Sequence, residues 1–526
     1  MLPAETPPQL SVARRNLVLA SMCLALVMVI SGVSMLNNAL PQMSESLGLG
    51  QSDQQWVIDG YTVVLAAFLL VAGAIGDRFG RRGAMIGGTL LFGVGSLMSA
   101  LATSSGALIG TRFIAGLGAA FVMPGTLSTI TSVFPPEGRA KAVGIWAGFA
   151  GMGGTLGLFM SGVLVDHFYW GSVFLASTTL AAVTLIAIVV FVPSTKATER
   201  VVLDPIGAVL SAAAIGLLVL GIIEGPGHGW TSGLTLSSLV AGALLLAAFV
   251  AWELHTDDPM LDPRLFRSRG LATGSVAMFF QFLAMFGFFF VGAQYMQLVL
   301  GFSALRTAVA FLPMSVVFLV LSPSAATLAE RRGHREVAGT GLVVAAAGFA
   351  ILATVNSGSG YWLILLSSVV MATGMSYAMT PATNAIVSSL PIEKQGIGSA
   401  INDVTRELGA AFGIALIGSA FNPGYRSSID KHLGGLSAAD AGQAHEAPAT
   451  ALVVASRLGD AGERLASDAK VAFVGGLRAA VIASAISLGI AALYTILRAP
   501  SRAAAAAAAF DETFEDDSLV SAGAFD

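Results

Sequence analysis

Runs of about 20 apolar residues recur along the whole chain, and polar residues cluster in the short stretches between them. A helix of that length crosses the ~30 Å hydrocarbon core of a membrane. The runs predicted as transmembrane helices are 16–38, 56–76, 83–103, 107–132, 141–163, 170–193, 205–224, 235–253, 272–299, 304–328, 337–355, 361–386, 398–420 and 473–497. So many apolar runs exceed what one soluble core could bury. The pattern therefore predicts an all-α polytopic membrane protein with fourteen spans.

The composition supports this class of protein. Of the 526 residues, 55% are hydrophobic and only 11% are charged, against roughly a quarter charged in soluble domains. The net charge of −4 gives no indication of nucleic-acid binding. The single cysteine, Cys23, excludes an internal disulfide and is interpreted as a packing residue. The first apolar run is too long for a signal-peptide core and is interpreted as an uncleaved span.

The basic residues of the short loops fall almost entirely on one side of the predicted spans. The short loops of the other side hold only Arg306. The positive-inside rule places the basic side in the cytoplasm. Because the number of spans is even, both termini lie on that side. We therefore expect a multi-pass protein of the plasma (inner) membrane with cytoplasmic termini.

A polar hairpin between apolar runs occurs twice. The first copy, GAIGDRFGRR, covers Gly73–Arg82, and a degraded copy covers Ala326–Arg335; Asp77 and Glu330 lie 253 positions apart. A Pro-Pro-Glu stretch at 135–137 and a Pro-Ile-Glu stretch at 391–393 lie 256 positions apart. These offsets indicate two duplicated halves, an arrangement typical of secondary transporters. Each offset covers eight spans rather than six, so two helices are predicted to be inserted between six-helix halves.

These patterns predict the domain organisation. The predicted units are a cytoplasmic N-terminus (1–15), an N-terminal six-helix bundle (16–200), two inserted helices (201–260), a C-terminal six-helix bundle (261–500) and a disordered acidic tail (501–526). The C-terminal bundle contains a long outer segment, 421–472, which forms either a short helical hairpin or a disordered loop. The tail combines an alanine run with several acids, a composition typical of disordered ends.

The residues of the first hairpin carry a family resemblance. The chain resembles the major facilitator superfamily, and specifically its fourteen-span drug/proton antiporter branch, which includes exporters of quaternary ammonium compounds and other lipophilic drugs. Further matching segments are Trp56–Tyr61 (WVIDGY), Arg112 with Gly116 and Gly118, Gln294–Gly301 (QYMQLVLG) and Gly398–Gly409 (GSAINDVTRELG). The resemblance covers nearly the whole chain. It implies a proton-coupled exporter that works by alternating access, with the substrate site at the midplane between the halves.

The resemblance also assigns a role to the hairpins. The first copy is expected to latch the cytoplasmic side in the outward-facing state and to release it in the inward-facing state. Its residues are Gly73, Asp77, Arg78, Gly80, Arg81 and Arg82. Asp77 can accept hydrogen bonds from arginines and from a nearby helix N-terminus. Glu330 and Arg331 form the weaker symmetric latch.

Three positions depart from the pattern of the branch. Gly32 stands where the first span usually has an acid, Leu158 stands where the fifth span has proline, and Asn384 stands where the twelfth span often has aspartate. These departures favour a second hypothesis, in which the chain exports or facilitates an endogenous lipid or metabolite with weak or no proton coupling. A third hypothesis is a non-transporting membrane sensor or scaffold, against which both retained hairpins argue.

Ionisable residues inside spans are costly and are therefore candidates for function. The candidates for proton or substrate binding are Asp59, Arg112, Asn37, Asp403, Arg406 and Glu407. Asp59 either exchanges protons in a partly dry cavity or is an acid near a helix N-terminus at the outer interface. Asp403, Arg406 and Glu407, at the cytoplasmic start of their span, form either a gate salt-bridge cluster or a proton relay. Asp166 and Glu224 are interpreted as solvated caps.

Small residues in the fifth span predict a seam where helices approach closely and slide. The seam candidates are Gly153, Gly157 and Gly162. The chain lacks a phosphate-binding P-loop, which argues against an ATP-driven pump. Its histidines lack metal-ligand spacing. We therefore expect no enzyme activity, cofactor or metal, and as partners a small amphipathic substrate, protons and the lipid bilayer, with the chain acting as a monomer.

Overall fold

The computed structural model describes residues 10–194, 203–390 and 394–501, which are almost entirely helical. The α-helices of these ranges are α1 (Val12–Ser34), α2 (Leu36–Leu47), α3 (Gln51–Phe79), α4 (Arg81–Ala100), α5 (Ser105–Val133), α6 (Pro136–His167), α7 (Ser172–Phe191), α8 (Pro205–His228), α9 (Gly233–Glu253), α10 (Arg269–Gln294), α11 (Ala304–Arg332), α12 (His334–Leu352), α13 (Tyr361–Val387), α14 (Gln395–Ile429), α15 (Ala438–Glu446), α16 (Pro448–Arg457) and α17 (Asp460–Arg498). The Pro-Ile-Glu stretch 391–393 and almost all of the predicted tail lie outside the described residues.

In the described part of the chain, fourteen helices are long and apolar enough to cross a membrane. They are α1, α3 to α14 and α17, and each contains or overlaps one predicted span. The predicted fold class is confirmed. Several helices are longer than the apolar runs; α14, for example, has 35 residues. Polar residues continue these helices beyond the hydrophobic stretch, because a helix satisfies its backbone hydrogen bonds without an apolar surrounding.

The helices pack as two sets of six with the same partners. In the first set, α3 and α4 pack on α5, α1 packs on α6, and α4 packs on α7. In the second set, α11 and α12 pack on α13, α10 packs on α14, and α12 packs on α17. The inserted helices α8 and α9 pack on each other, and α8 also contacts α3 and α14. The boundaries proposed at 200 and 260 stay a prediction, and residues 195–202 lie outside the described ranges.

The two sets meet along the pairs α6–α11 and α3–α14. Glycines allow the backbones to come close there. A Cβ on Gly144 of α6 would lie 2.8 Å from the Ser322 carbonyl oxygen, and a Cβ on Gly73 of α3 would lie 2.7 Å from that of Gly396. Side chains at these positions would push the two sets apart.

The segment 421–472 is helical. It contains the end of α14, the short helices α15 and α16, and the start of α17. The hydroxyl of Tyr425 donates a hydrogen bond of 2.7 Å to the carbonyl of Ala444, which fixes α15 against α14. Ala451 and Val454 of α16 are fully buried. Of the two alternatives from the sequence, the structure has the helical one.

The arginine-rich loops all lie at one end of the bundle. This end includes the turns at Gly80 and Gly333, between α3 and α4 and between α11 and α12. We call it the arginine-rich side, and the end where α3 begins at Gln51 the opposite side. Both glycines have positive φ, 110° and 97°. A residue with a side chain adopts this conformation only with strain, so glycine allows the two sharp helix–helix turns.

Candidate functional site

Asp77 links the two sets of helices on the arginine-rich side. Its carboxylate accepts hydrogen bonds from the backbone N–H groups of Gly396 (3.0 Å) and Ile397 (3.2 Å), which belong to the first turn of α14. The first N–H groups of a helix have no partner inside the helix, and the helix dipole favours an anion there. Asp77 is only 1% exposed, so this contact is shielded from water.

One of the three arginines of the same hairpin, Arg81, binds this carboxylate directly. The guanidinium of Arg81 donates two hydrogen bonds to Asp77 at 3.0 Å and 2.9 Å and a third to the carbonyl of Ser128. Arg82 donates to the carbonyl of Val189 on α7. Arg78 is exposed and lies over the ring of Phe79. The first hairpin thus joins α3, α4, α5 and α14 around one buried carboxylate.

The second hairpin is built differently. Glu330 and Arg331, at the end of α11, are exposed. The duplicated sequence predicts a weaker symmetric latch, but the structure does not bury the acid of this copy as it buries Asp77. The symmetry therefore holds for the turn and not for the environment of the carboxylate.

Asp403, Arg406 and Glu407 lie together on α14. Arg406 Nη1 is 3.4 Å from Asp403 Oδ1, and Asn402 donates to the same oxygen at 3.3 Å. Asp403 and Arg406 are 0% and 2% exposed, whereas Glu407 is half-buried. Their predicted place at the cytoplasmic start of the span stays a prediction. Because α14 begins at Gln395, Asp403 lies about 12 Å along the helix, two turns inside it.

Aromatic rings cover the guanidinium of Arg406. Its Cζ atom lies 4.6 Å from the ring centre of Phe282 on α10 and 5.5 Å from that of Trp146 on α6. The indole N–H of Trp146 donates to Thr126 Oγ1 at 3.0 Å. Arg406 is therefore held between one ring from each set of helices.

Arg112 is a fully buried centre that ties α5 to α1 and α3. It donates to the carbonyls of Val57 (3.0 Å) and Gly32 (3.1 Å), and its guanidinium lies 4.4 Å from the ring centre of Tyr61. Among the described residues, no acid is paired with Arg112. The partners of this candidate residue are backbone carbonyls rather than a carboxylate.

Gly32 contributes only its carbonyl to this centre. A Cβ at Gly32 would lie 3.1 Å from the ring of Phe92 and 3.6 Å from the Tyr61 hydroxyl. The space that an acidic side chain would need is therefore occupied by aromatic rings. The Tyr61 hydroxyl itself donates to the carbonyl of Val29.

Asp59 lies on α3, half-buried, about 12 Å along the helix from Gln51. It is close enough to Glu224 of α8 for the two charges to interact. Glu224 is 3% exposed, and its carboxylate lies 2.6 Å from His228 Nδ1. The interpretation of Glu224 as a solvated cap is wrong, because α8 continues to His228 and packs on α3 and α14.

The remaining predicted residues lie at two helix contacts. Gly153 and Gly157 of α6 face α1, where a Cβ on Gly157 would lie 2.7 Å from Ser34 Oγ, and Gly162 faces Leu305 of α11. The Leu158 carbonyl accepts a hydrogen bond from the Asn38 amide. Asn37 lies on α2, and its side chain is outside the described part of the structure. The seam glycines therefore serve α6–α1 packing as well as the contact between the sets.

Three residues of these clusters were not among the candidates from the sequence. Trp146 was not considered. Phe282 was considered with the other aromatic residues of its span, either as lining a lipophilic pocket or, the favoured interpretation, as facing lipid or a neighbouring helix. Glu224 carried a usable signal: an acid with histidine four positions later, in an otherwise apolar helix, can form an i,i+4 pair.

The chain is similar in sequence to known efflux and resistance proteins. The Major Facilitator Superfamily matches residues 22–414. The multidrug efflux pump LfrA of Mycolicibacterium smegmatis is 32% identical over 90% of this chain and 94% of its own. The methyl viologen resistance protein SmvA of Salmonella typhimurium is 33% identical over 88% of this chain and 93% of its own. These matches confirm the resemblance found in the motifs.

Solved structures show the same fold. The human organic anion transporter MFSD10 (TETRAN) superposes with a TM-score of 0.61 at 14% identity, covering 93% of this chain and 100% of that chain. The proton:xylose symporter XylE superposes with a TM-score of 0.60 at 13% identity, covering 93% of this chain and 96% of that chain. At these identities the likeness concerns the fold alone.

The match over residues 22–414 and the relatives above 30% identity show that the chain belongs to the Major Facilitator Superfamily.

Proposed function

We propose that this member of the Major Facilitator Superfamily is a secondary active transporter that exports small amphipathic or cationic compounds in exchange for protons. The observation that carries the proposal is the contact of Asp77 with the N-terminus of α14. This contact joins the two sets of helices on the arginine-rich side, and it must break for that side to open. A contact of this kind suits alternating access around a central site.

The central charges supply the second requirement, a group that can change its proton. Asp59, Asp403 and Glu407 are carboxylates inside spans, where an uncompensated charge is costly. Asp403 has a partner in Arg406, whereas Asp59 faces a second carboxylate, Glu224. Asp59 therefore lacks the compensating cation that Asp403 has, and an uncompensated charge inside a span is costly. Asp59 is therefore the proposed proton-exchanging residue, and Arg112 holds the surrounding helices in place.

The substrate class is proposed from the relatives. One similar protein is named a multidrug efflux pump and another a methyl viologen resistance protein. Methyl viologen is a flat organic dication, so cations are the first compounds to test. The orientation with cytoplasmic termini, the location in the plasma membrane and the monomeric state are part of the same proposal.

The test is proton release in inside-out vesicles that contain the purified chain, with a panel of lipophilic cations and neutral drugs. We expect an added cation to release protons from the vesicle interior, and we expect Asp59→Asn to abolish that release. Asp53→Asn is the matched control, because Asp53 caps the exposed first turn of the same helix. Loss of coupling in both variants would contradict the assignment to Asp59.

A second candidate function keeps the fold and changes the coupling. The lack of an acid beside Arg112 in the described structure, and the aromatic filling at Gly32, favour an exporter of an endogenous lipid or metabolite with weak or no proton coupling. The same vesicle assay separates the two functions. Substrate movement without proton release would support this second function.

A further inference from the structure

We propose that Trp146 and Phe282 form an aromatic site for the transported cation, and that the chain's own Arg406 occupies this site in the present structure. The inference rests on the proposed export of cations and adds which residues bind them. It gives Arg406 the part of an internal competitor that a substrate displaces.

The geometry is that of a cation between π faces. The guanidinium carbon of Arg406 lies 4.6 Å from the ring centre of Phe282 and 5.5 Å from that of Trp146. Both distances are within the roughly 6 Å over which a ring attracts a cation. The three side chains come from α14, α10 and α6, so a cation held here touches both sets of helices.

The site holds Arg406 with few hydrogen bonds. Within the described residues, Arg406 Nε has no hydrogen-bond partner, and neither has Asp403 Oδ2 or Asn402 Oδ1. A guanidinium has five N–H donors, and a buried donor without a partner is destabilising. A flat organic cation whose charge is spread over fused rings, such as ethidium, has a larger π surface and fewer N–H donors than a guanidinium, so it would keep the contact with the rings at a lower cost. The site is therefore better matched to such a cation than to its present occupant.

The depth of the site suits a substrate. Arg406 lies about 15 Å along α14 from Gly396, and Trp146 lies about 15 Å along α6 from Pro136. Both helices begin on the arginine-rich side, so the rings lie near the middle of a ~30 Å membrane core. The hydrogen bond from Trp146 to Thr126 fixes the plane of the indole.

If a cation displaced Arg406 from the rings, the guanidinium would still lie beside two acids. Asp403 and Glu407 are its neighbours on α14, and both interact with its charge. Asp403 Oδ2 is without a hydrogen-bond partner in the described structure and can accept from the displaced guanidinium. Binding of a cation between the rings would thus rearrange the Asp403–Arg406 pair on the helix whose N-terminus binds Asp77.

The experiment measures equilibrium binding of ethidium, a flat delocalised cation, to the purified full chain in lipid nanodiscs without a proton gradient. We expect Trp146→Leu and Phe282→Leu each to weaken binding about tenfold, and Trp146→Phe to weaken it less because a π face remains. Phe349→Leu is the control for loss of a buried ring, since Phe349 is fully buried within the second set of helices.

The occupancy by Arg406 has its own test. In the variant Asp403→Asn/Arg406→Gln the ion pair is removed and the net charge of the cluster is unchanged, because one acid and one base are neutralised together and Glu407 remains. We expect ethidium to bind several-fold more tightly, and we expect the gain to disappear when Trp146→Leu is added. A size-exclusion profile and a thermal unfolding curve identify variants that do not fold, and either ring variant suffices if the other does not fold.

Four results overturn the inference. Unchanged ethidium affinity in a folded Trp146→Leu or Phe282→Leu protein removes the aromatic site. Weaker ethidium binding in the Asp403→Asn/Arg406→Gln variant would show that Arg406 does not compete with the cation for the rings. If wild-type vesicles export no cation, the proposed function fails and the inference fails with it. If they export ethidium with the same KM when Trp146 is leucine, only the inference fails.

Discussion

Replacing Asp77 with asparagine is expected to open the arginine-rich side of the protein. The aspartate accepts two hydrogen bonds from backbone N–H groups of α14 and two from Arg81. Asparagine has nearly the same shape but no charge, and its amide nitrogen is itself a donor. One of the two N–H groups of α14 would therefore face another donor.

The size of the effect follows from these contacts. A hydrogen bond to a charged group contributes about 1.5–3 kcal/mol, and one between neutral groups about 0.5–1.5 kcal/mol. Weakening the two contacts to α14 by about 1 kcal/mol each, and removing a charge from a helix N-terminus, gives about 2–3 kcal/mol. The bonds to Arg81 lie within one set of helices and cancel between the two states. The equilibrium should shift toward the open state by roughly 30- to 150-fold.

Spin labels report this shift directly. We would label Gly83→Cys on α4 and Glu336→Cys on α12 in a Cys23→Ser background and measure the distance distribution by double electron–electron resonance. Both labelled positions are exposed, and a Cβ on Gly83 would meet no atom within 4 Å. We expect a longer distance to become dominant in Asp77→Asn.

The matched control is Glu330→Gln in the second hairpin. Because Glu330 is exposed, its charge is screened and its removal should leave the distribution unchanged. The reasoning is refuted if Asp77→Asn also leaves the distribution unchanged. It is refuted equally if Glu330→Gln shifts the distances as far, because burial would then not decide the strength of the contact.

Three further substitutions have expected outcomes. Gly73→Ala places a Cβ 2.7 Å from the Gly396 carbonyl oxygen and should shift the same distance distribution toward the open state, whereas Gly110→Ala, whose Cβ would meet no atom within 4 Å, should not. Arg112→Lys cannot keep both backbone hydrogen bonds and the stacking on Tyr61, so the free energy of unfolding should fall by about 2–4 kcal/mol in a thermal unfolding experiment. An unchanged melting temperature would contradict a structural role of Arg112. Tyr425→Phe should lower the free energy of unfolding by about 1–2 kcal/mol in the same experiment, because it removes the hydrogen bond to Ala444. Ethidium export should stay unchanged, because this hydrogen bond is far along α14 from the central charges.

The sequence predicted the spans and the fold class because both depend on long-range composition. An apolar run of about 20 residues has few alternatives to a membrane helix, and two hairpins at a regular offset require a duplication. The same reasoning misplaced helix ends, because nothing in an apolar count marks where a polar helix stops. For example, α14 begins at Gln395, three residues before the predicted span, and continues to Ile429, nine residues beyond it.

Contacts between distant residues were out of reach from the sequence. Nothing in the sequence around Arg112 shows that its partners are the carbonyls of Val57 and Gly32, since every residue has a carbonyl. The rings around Arg406 come from two other helices, and their choice depends on how the two sets meet. Sequence patterns define each helix by itself, whereas the candidate site consists of side chains from several helices.

The difference between the two hairpins has a physical cause in the helices they face. The first turn of α14 contains no acid, so its N–H groups and its dipole are available to Asp77. The first turn of α6, the corresponding helix of the first set, contains Glu137. The N–H of Gly138, in the position of Ile397, already donates to the carbonyl of Pro135 at 3.0 Å. With its own acid and one donor fewer, α6 gains little from a carboxylate of α11, and Glu330 stays in solvent. The duplicated sequence therefore keeps the turn in both halves and concentrates the anion-binding contact between α3 and α14.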